Sequence, residues 1–170
     1  MFLRPKKSQT TSQLMEIPSG SAGTRATLRL MSALTNAAKK RLNIRRLAQS
    51  LVSEKAQKDY AGEAVELHRF VRDNIRYLRD IRGVETLQTP EKTLQFKSGD
   101  CDDKSVLLAS LLESIGHKTR FVAVGFSPDT YAHVYVEVYI NGGWEPLETT
   151  EPWKAGRGPG VTLTRMVQYN

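Results

Sequence analysis

The hydrophobic pattern of the chain changes its period at Gly116, and this change constrains the fold more than any other feature. Before it, apolar residues recur at helical spacing over residues 106–115. After it, apolar and polar residues alternate over residues 131–140, which predicts a β-strand. Residues 119–126 predict a strand before this one, and an Asn-Gly-Gly turn leads into another at 144–150. A helix packed on consecutive antiparallel strands is an α+β fold.

The single cysteine, Cys101, directly precedes this helix. Asp100 has the side chain expected at an N-cap, and Asp103 completes an acidic variant of the capping-box spacing. Cys101 is therefore expected in the first turn, where unpaired N–H groups and the helix dipole favour a thiolate. The three neighbouring aspartates oppose that ionisation, and free cysteines are often small buried hydrophobic residues. The position makes Cys101 a candidate nucleophile that needs support from elsewhere in the chain.

Composition excludes several classes of protein. With 170 residues, 39% hydrophobic and 25% charged, the chain is typical of one globular domain with an extension. We expect no membrane span and no signal segment, because no apolar run is long enough. A single cysteine excludes an internal disulfide and a cysteine-based zinc site, and the three histidines lack metal-ligand spacing. A reducing compartment fits best, which predicts a cytoplasmic location.

Charge divides the chain unevenly. Residues 1–60 carry 12 Lys and Arg against 3 Asp and Glu, whereas the remainder is nearly neutral. We expect a flexible arm at 1–23, a basic amphipathic helical extension at 24–60, the main domain at 61–155 and a C-terminal tail at 156–170. The basic helix fits a nucleic acid, an anionic membrane surface or an acidic protein partner, or it is simply a solvated face.

Three local predictions concern the remaining segments. Residues 61–78 have the spacing of an amphipathic helix, on which we expect His68 to be exposed. Residues 83–98 are expected to form a loop that leads to the cysteine. In the tail, residues 161–169 predict a further strand.

A cysteine nucleophile needs a base, and the base needs a group that orients it. His133 is the candidate base, because it lies on the polar side of the strand expected beside the cysteine helix. His117 follows Cys101 by 16 positions, about 24 Å along a helix axis, and cannot reach the thiol. A two-residue turn pairs residue 135 with Glu148, which makes Glu148 a diagonal neighbour of His133. A three-residue turn would reverse the faces, so the assignment depends on an even loop.

The motifs now resemble a known family. Gly99-Asp100-Cys101-Asp102-Asp103, the strand 132–138 around His133, and the segment 143–150 around Glu148 resemble the transglutaminase-like cysteine domain superfamily. The likeness spans about residues 61–155 and is nearest in appearance to short bacterial and tailed-phage members. It implies a papain-like core in which Cys101 is the nucleophile, His133 the base and Glu148 the third member. The family's usual residue at that third position is aspartate.

The resemblance implies acyl transfer on the amide of a protein or peptide, by hydrolysis or by cross-linking, without a cofactor. The main-chain N–H of Cys101 is one expected oxyanion donor. Gln95 is a speculative second donor, although a loop glutamine is more often just solvated. The alternative function is a structural component of a phage particle built on this scaffold, with an assembly partner on the basic N-terminal region and a location in the virion.

Overall fold

The computed structural model describes residues 18–79 and 86–170, which form a helical layer packed on an antiparallel sheet. The helices are α1 (Gly20–Ala38), α2 (Leu42–Leu51), α3 (Tyr60–Asn74), α4 (Pro90–Phe96) and α5 (Cys101–Ser114). The strands are β1 (Arg76–Tyr77), β2 (Ser98–Gly99), β3 (Thr119–Gly125), β4 (His133–Ile140), β5 (Gly143–Leu147) and β6 (Thr164–Tyr169). The expected α+β class is confirmed.

The four longer strands form one sheet in the order β5-β4-β3-β6, with every neighbouring pair antiparallel. Ile140 pairs with Gly143 across the hairpin, so the loop is the even one that the sequence predicted. Asn141 and Gly142 form its two-residue turn, and both have positive φ angles, as a type I′ turn requires. The two short strands β1 and β2 pair in parallel and bring the end of α3 beside the start of α5.

The core is centred on α5, whose residues from 102 to 112 are all buried. A helix that is buried on every side occupies the middle of a layer rather than its surface. One face of α5 packs on the inner face of the sheet at Val134, Val136 and Val138. Helices α1, α2 and α3 surround its remaining faces. The N-terminus of α5 is thereby fixed beside the start of β4.

The helical layer differs from the sequence prediction at several points. The basic segment forms two helices, and α1 already begins at Gly20, within the stretch expected to be a flexible arm. The rest of that arm, residues 1–17, lies outside the described residues. Helix α3 ends at Asn74 rather than at residue 78, because the chain turns into β1. The expected loop at 83–98 contains α4, and residues 83–85 of it lie outside the described ranges.

The tail returns to the sheet. Strand β6 pairs with β3 over six positions and covers Val122 and Val124 on the outer face. On the same face the buried Glu137 forms ion pairs with Arg120 and with Arg165 of β6. Within the described ranges, no helix combines the length and apolar character needed to cross a lipid bilayer.

Candidate active site

Cys101 is the first residue of α5, and a capping box fixes that start. Asp100 accepts hydrogen bonds from the main-chain N–H groups of Asp102 and Asp103, at 3.0 and 3.1 Å. Asp103 in turn accepts from the main-chain N–H of Asp100. Gly99 is required by close approach, because a Cβ there would lie 2.6 Å from the Cβ of Asp103. The capping prediction is confirmed, and it holds the thiol at the helix N-terminus.

The surroundings of the thiol favour its protonated form. Burial raises the pKa of Cys101 strongly, and the carboxylates of Asp102 and Asp100 raise it further. The thiol donates to Asp102 Oδ1 at 3.4 Å. A main-chain contact with Val134 acts in the opposite direction but does not offset these causes. The helix dipole is therefore outweighed, and the resting group is a thiol that requires a base.

His133 begins β4 and is held by Glu148, which directly follows β5. The Nε2 of His133 lies 2.5 Å from Glu148 Oε2. Burial by itself would raise the pKa of the Glu148 carboxyl. Hydrogen bonds from His133 and Thr150 lower it by more, so the pKa lies below its ordinary value. An ionised carboxylate can only accept, so the Nε2 of His133 carries the proton. The Nδ1 of a neutral His133 is then an acceptor, as a base must be.

Cys101 and His133 line the same cavity, which has a volume of about 340 Å³. Its far wall is the first three turns of α1, including Gly23 and Thr27. The contact of Cys101 with Val134, the neighbour of His133, joins α5 to β4 at this point. The structure therefore brings the predicted nucleophile and base to one cavity, with the predicted acid behind the base.

A second cavity, of about 370 Å³, is also lined by His133. Tyr77, Phe126 and Trp153 supply aromatic walls, and Glu148 lines it together with His133. His133 thus lines both cavities, whereas Cys101 lines only the first.

Gln95, the speculative oxyanion donor, is exposed on α4. Its Oε1 accepts from Lys92 Nζ at 3.4 Å, and it lines neither of the two cavities. Because α4 replaces the expected loop, the side chain points along its own helix. The structure does not bring Gln95 to the thiol.

Asp100, Cys101 and Asp102 are the one group of three residues with metal-ligating side chains, within residues 18–79 and 86–170, whose ligand atoms lie within 4.8 Å of one another. The capping bonds of Asp100 and the thiol bond to Asp102 account for their closeness. The cluster is therefore explained by the start of the helix.

Sequence reasoning missed two buried polar residues beside Glu148. His68 of α3 is only 1% exposed, so the expectation of an exposed side chain was wrong. The signal was available, because His68 stands four residues after Ala64 and three before Val71, on the apolar face of α3. Lys104 is also buried, and its Nζ donates to the main-chain oxygen of Ile75 at 2.7 Å.

Solved structures support the fold. A candidate protease from Parabacteroides distasonis aligns with a TM-score of 0.58 at 13% identity, over 72% of this chain and 26% of that one. A candidate cysteine protease from Cytophaga hutchinsonii aligns at 0.52 and 15% identity, over 75% and 50%. Calcium-bound LapG of Legionella pneumophila aligns at 0.51 and 14% identity, over 71% and 73%. The chain thus spans about a quarter and a half of the first two proteins.

No curated protein matches the sequence. The sequence model of the transglutaminase-like superfamily matches residues 45–149, which is more than half of the chain and includes Cys101, His133 and Glu148. The match begins within α2 and ends just after β5. It therefore includes α3, α4, α5 and the strands β1 to β5, and leaves out α1 and β6. By this match and by its papain-like α+β core, the chain belongs to the transglutaminase-like superfamily.

Proposed function

We propose that the protein is a cysteine-dependent acyl transferase that acts on an amide bond of a protein or peptide. The observation that carries the proposal is the position of His133, which shares a cavity with Cys101 while Glu148 holds its far nitrogen. In this proposal Cys101 is the nucleophile, His133 the base and Glu148 the residue that fixes the tautomer of His133. Two proteins of similar fold are described as candidate proteases, which agrees with this chemistry but is said of those proteins.

The resting state determines the first step. Because the thiol is protonated at rest, Cys101 Sγ attacks the amide carbon as its proton moves to Nδ1 of His133. Glu148 stabilises the imidazolium through the Nε2 hydrogen bond. The main-chain N–H of Cys101, in the first turn of α5, is suited to donate to the developing oxyanion.

The second step breaks the carbon–nitrogen bond. The imidazolium returns its proton to the departing amine, and a thioester remains on Cys101. A water molecule or a second amine then attacks the thioester carbonyl and restores the thiol. Water gives a peptidase or amidase, and an amine gives a cross-linking enzyme.

The proposal is tested by labelling with an electrophilic amide-mimic probe, measured across pH in the wild type, Cys101→Ser and His133→Ala. We expect labelling confined to Cys101 and slowed by about a hundredfold or more in His133→Ala. His117→Ala is the matched control, since His117 pairs with Glu63 away from the cavities. Equal labelling rates in His133→Ala and the wild type would contradict the proposal.

The other partners predicted from the sequence stay predictions. A phage assembly partner, a nucleic acid on the basic helices, and a cytoplasmic or virion location each rest on composition and resemblance. The exposed Arg25, Arg29, Arg45 and Arg46 supply charge for such a contact on α1 and α2. Charge alone does not favour one of these partners over a solvated face.

A further inference from the structure

Glu148 is held by its main chain as well as by its carboxylate. The Nε2 of His68, in the middle of α3, lies 2.5 Å from the main-chain oxygen of Glu148. A carbonyl oxygen only accepts, so His68 carries its proton on Nε2 and donates it. Both partners are buried, with 1% of each residue exposed. A buried, aligned donor at this place fixes the position of the Glu148 backbone.

The sheet does not fix this backbone by itself. The β4–β5 pairing ends with Val136 opposite Leu147, one residue before Glu148. Beyond that point α3 supplies the anchors, since Arg72 also donates to the main-chain oxygen of Trp153 at 2.8 Å. The segment that carries Glu148 is thus attached to α3 at both ends.

The side chain of Glu148 depends on this anchor. Its Oε1 accepts from both the main-chain N–H and the hydroxyl of Thr150, each at 2.7 Å, and its Oε2 contacts His133. Glutamate has one more rotatable bond than aspartate, so its carboxylate reaches a fixed point only if its Cα is also fixed. The hydrogen bond from His68 meets that requirement.

We propose that His68 is a positioning residue for the proposed acyl transfer: it anchors the main chain of Glu148 and thereby sets the Glu148–His133 hydrogen bond. His68 touches neither the thiol cavity nor the second cavity, so it acts only through Glu148. The inference rests on the proposed function, because it assigns His68 a role in that same site.

His68 supplies a donor without adding a charge. Burial lowers its pKa, and the nearby Arg72 lowers it further, so the ring is neutral at neutral pH. The charged groups that face this region are Arg72 and Asp73 from α3, Lys104 from α5 and the carboxylate of Glu148 itself. Because these groups stay in the chain when His68 is replaced, a neutral substitution that removes the donor acts on the position of Glu148 and adds or removes no charge.

The test compares His68→Gln, whose amide nitrogen can occupy the place of Nε2, with His68→Leu, which has no donor. The measured quantities are the maximal labelling rate and the half-saturating concentration of the amide-mimic probe across pH. We expect His68→Gln to stay within about threefold of the wild type. We expect His68→Leu to lower the maximal labelling rate about tenfold or more and to leave the half-saturating concentration unchanged. The dependence of its labelling rate on pH should shift in the same direction as that of Glu148→Gln.

A double-mutant cycle shows whether the effect passes through Glu148. His68→Leu should add little to Glu148→Gln, since the charged acceptor that His68 positions is already removed. Nitrogen-15 NMR of the imidazoles gives a readout that general destabilisation does not mimic, namely a smaller Nε2-protonated fraction of His133 in folded His68→Leu. If His68→Leu does not fold, His68→Asn replaces it, because its shorter amide stops before the carbonyl.

Two outcomes overturn the inference, and they are distinguishable. A folded His68→Leu with wild-type rate, pH profile and His133 tautomer removes the role of His68 and leaves the proposed function standing. Wild-type labelling that depends on neither His133 nor Glu148 removes the proposed function, and the role of His68 with it.

Discussion

Glu148 accepts from His133 through one carboxylate oxygen and from Thr150 through the other, so both oxygens of a buried acid are committed to fixed donors. A carboxylate bound on both sides cannot rotate away from the imidazole without losing a hydrogen bond. In the proposed triad, this geometry lets a glutamate serve where the resemblance leads one to expect an aspartate. The longer side chain is held at both oxygens as well as at its backbone.

The first prediction concerns the charge and tautomer that Glu148 imposes. Glu148→Gln should lower the rate of probe labelling or of amide turnover by about 10²–10⁴-fold, because an amide can favour the wrong tautomer of His133 and lacks the charge that stabilises imidazolium. Glu148→Asp should lose less, since it keeps the charge but has a shorter reach. The measurement is the second-order labelling rate constant in each variant, with folding checked by circular dichroism.

Glu145→Gln is the matched control for this series. Glu145 is exposed on β5, pairs opposite Val138 and lines neither cavity. The probe should label Glu145→Gln at the wild-type rate. If Glu148→Gln labelled as fast as this control, Glu148 would have no part in the site.

The second prediction concerns the carboxylate beside the thiol. Asp102→Asn should lower the pKa of Cys101, because it removes a negative charge that raises it. Alkylation of Cys101 by iodoacetamide at pH 8 should then accelerate by several-fold to about tenfold, as the thiolate fraction grows. Asp129→Asn, an equal loss of charge on an exposed loop, should leave the rate unchanged. A slower or unaltered rate in Asp102→Asn would show that the charge of Asp102 does not suppress ionisation.

The third prediction follows from the buried imidazole of His68. Burial lowers its pKa in the folded state, whereas the unfolded chain has the ordinary value of about 6.5. Below that value the unfolded state binds more protons, so the free energy of unfolding falls as the pH drops from 7 to 5. His68→Gln cannot titrate and should lose less stability over this range. Urea denaturation at successive pH values measures the difference, and parallel pH dependences of the two proteins would contradict it.

The site was predictable where its determinants are local. The capping box depends on four consecutive residues, and α5 forms where the sequence placed it. The pairing of His133 with Glu148 followed from one premise, an even hairpin loop, because strand geometry then fixes which side chains share a face. The Asn-Gly pair supplied that premise.

The errors arise where distant segments meet. The spacing of His68 on α3 indicates burial but not its partner, since Glu148 lies 80 positions later. The protonated state of Cys101 depends on burial by segments far from it in sequence, which outweighs the local helix dipole. The place of β6 at the far edge of the sheet is set by pairing with β3, about forty positions earlier. Hydrophobic periodicity carries no information about such partners.

The last prediction tests whether the tail is part of the domain. Ending the chain after Gly160 would remove β6 and uncover Val122 and Val124, which are fully buried on β3. Glu137 would also lose its ion pair with Arg165. We expect the free energy of unfolding to fall by about 3 kcal/mol or more, from lost apolar burial, and the exposed strand edge to promote aggregation.

Urea denaturation and light scattering measure these two effects, and Val161→Ser in the full chain is the control, since that side chain is 90% exposed. The control should keep the wild-type denaturation midpoint, because it removes no packed surface. A truncated protein that stayed monomeric with the same midpoint would show that residues 161–170, most of the tail predicted at 156–170, are separable from the domain. A lower midpoint would instead extend the domain to Tyr169, because the outer face of β3 would then need β6 to cover it.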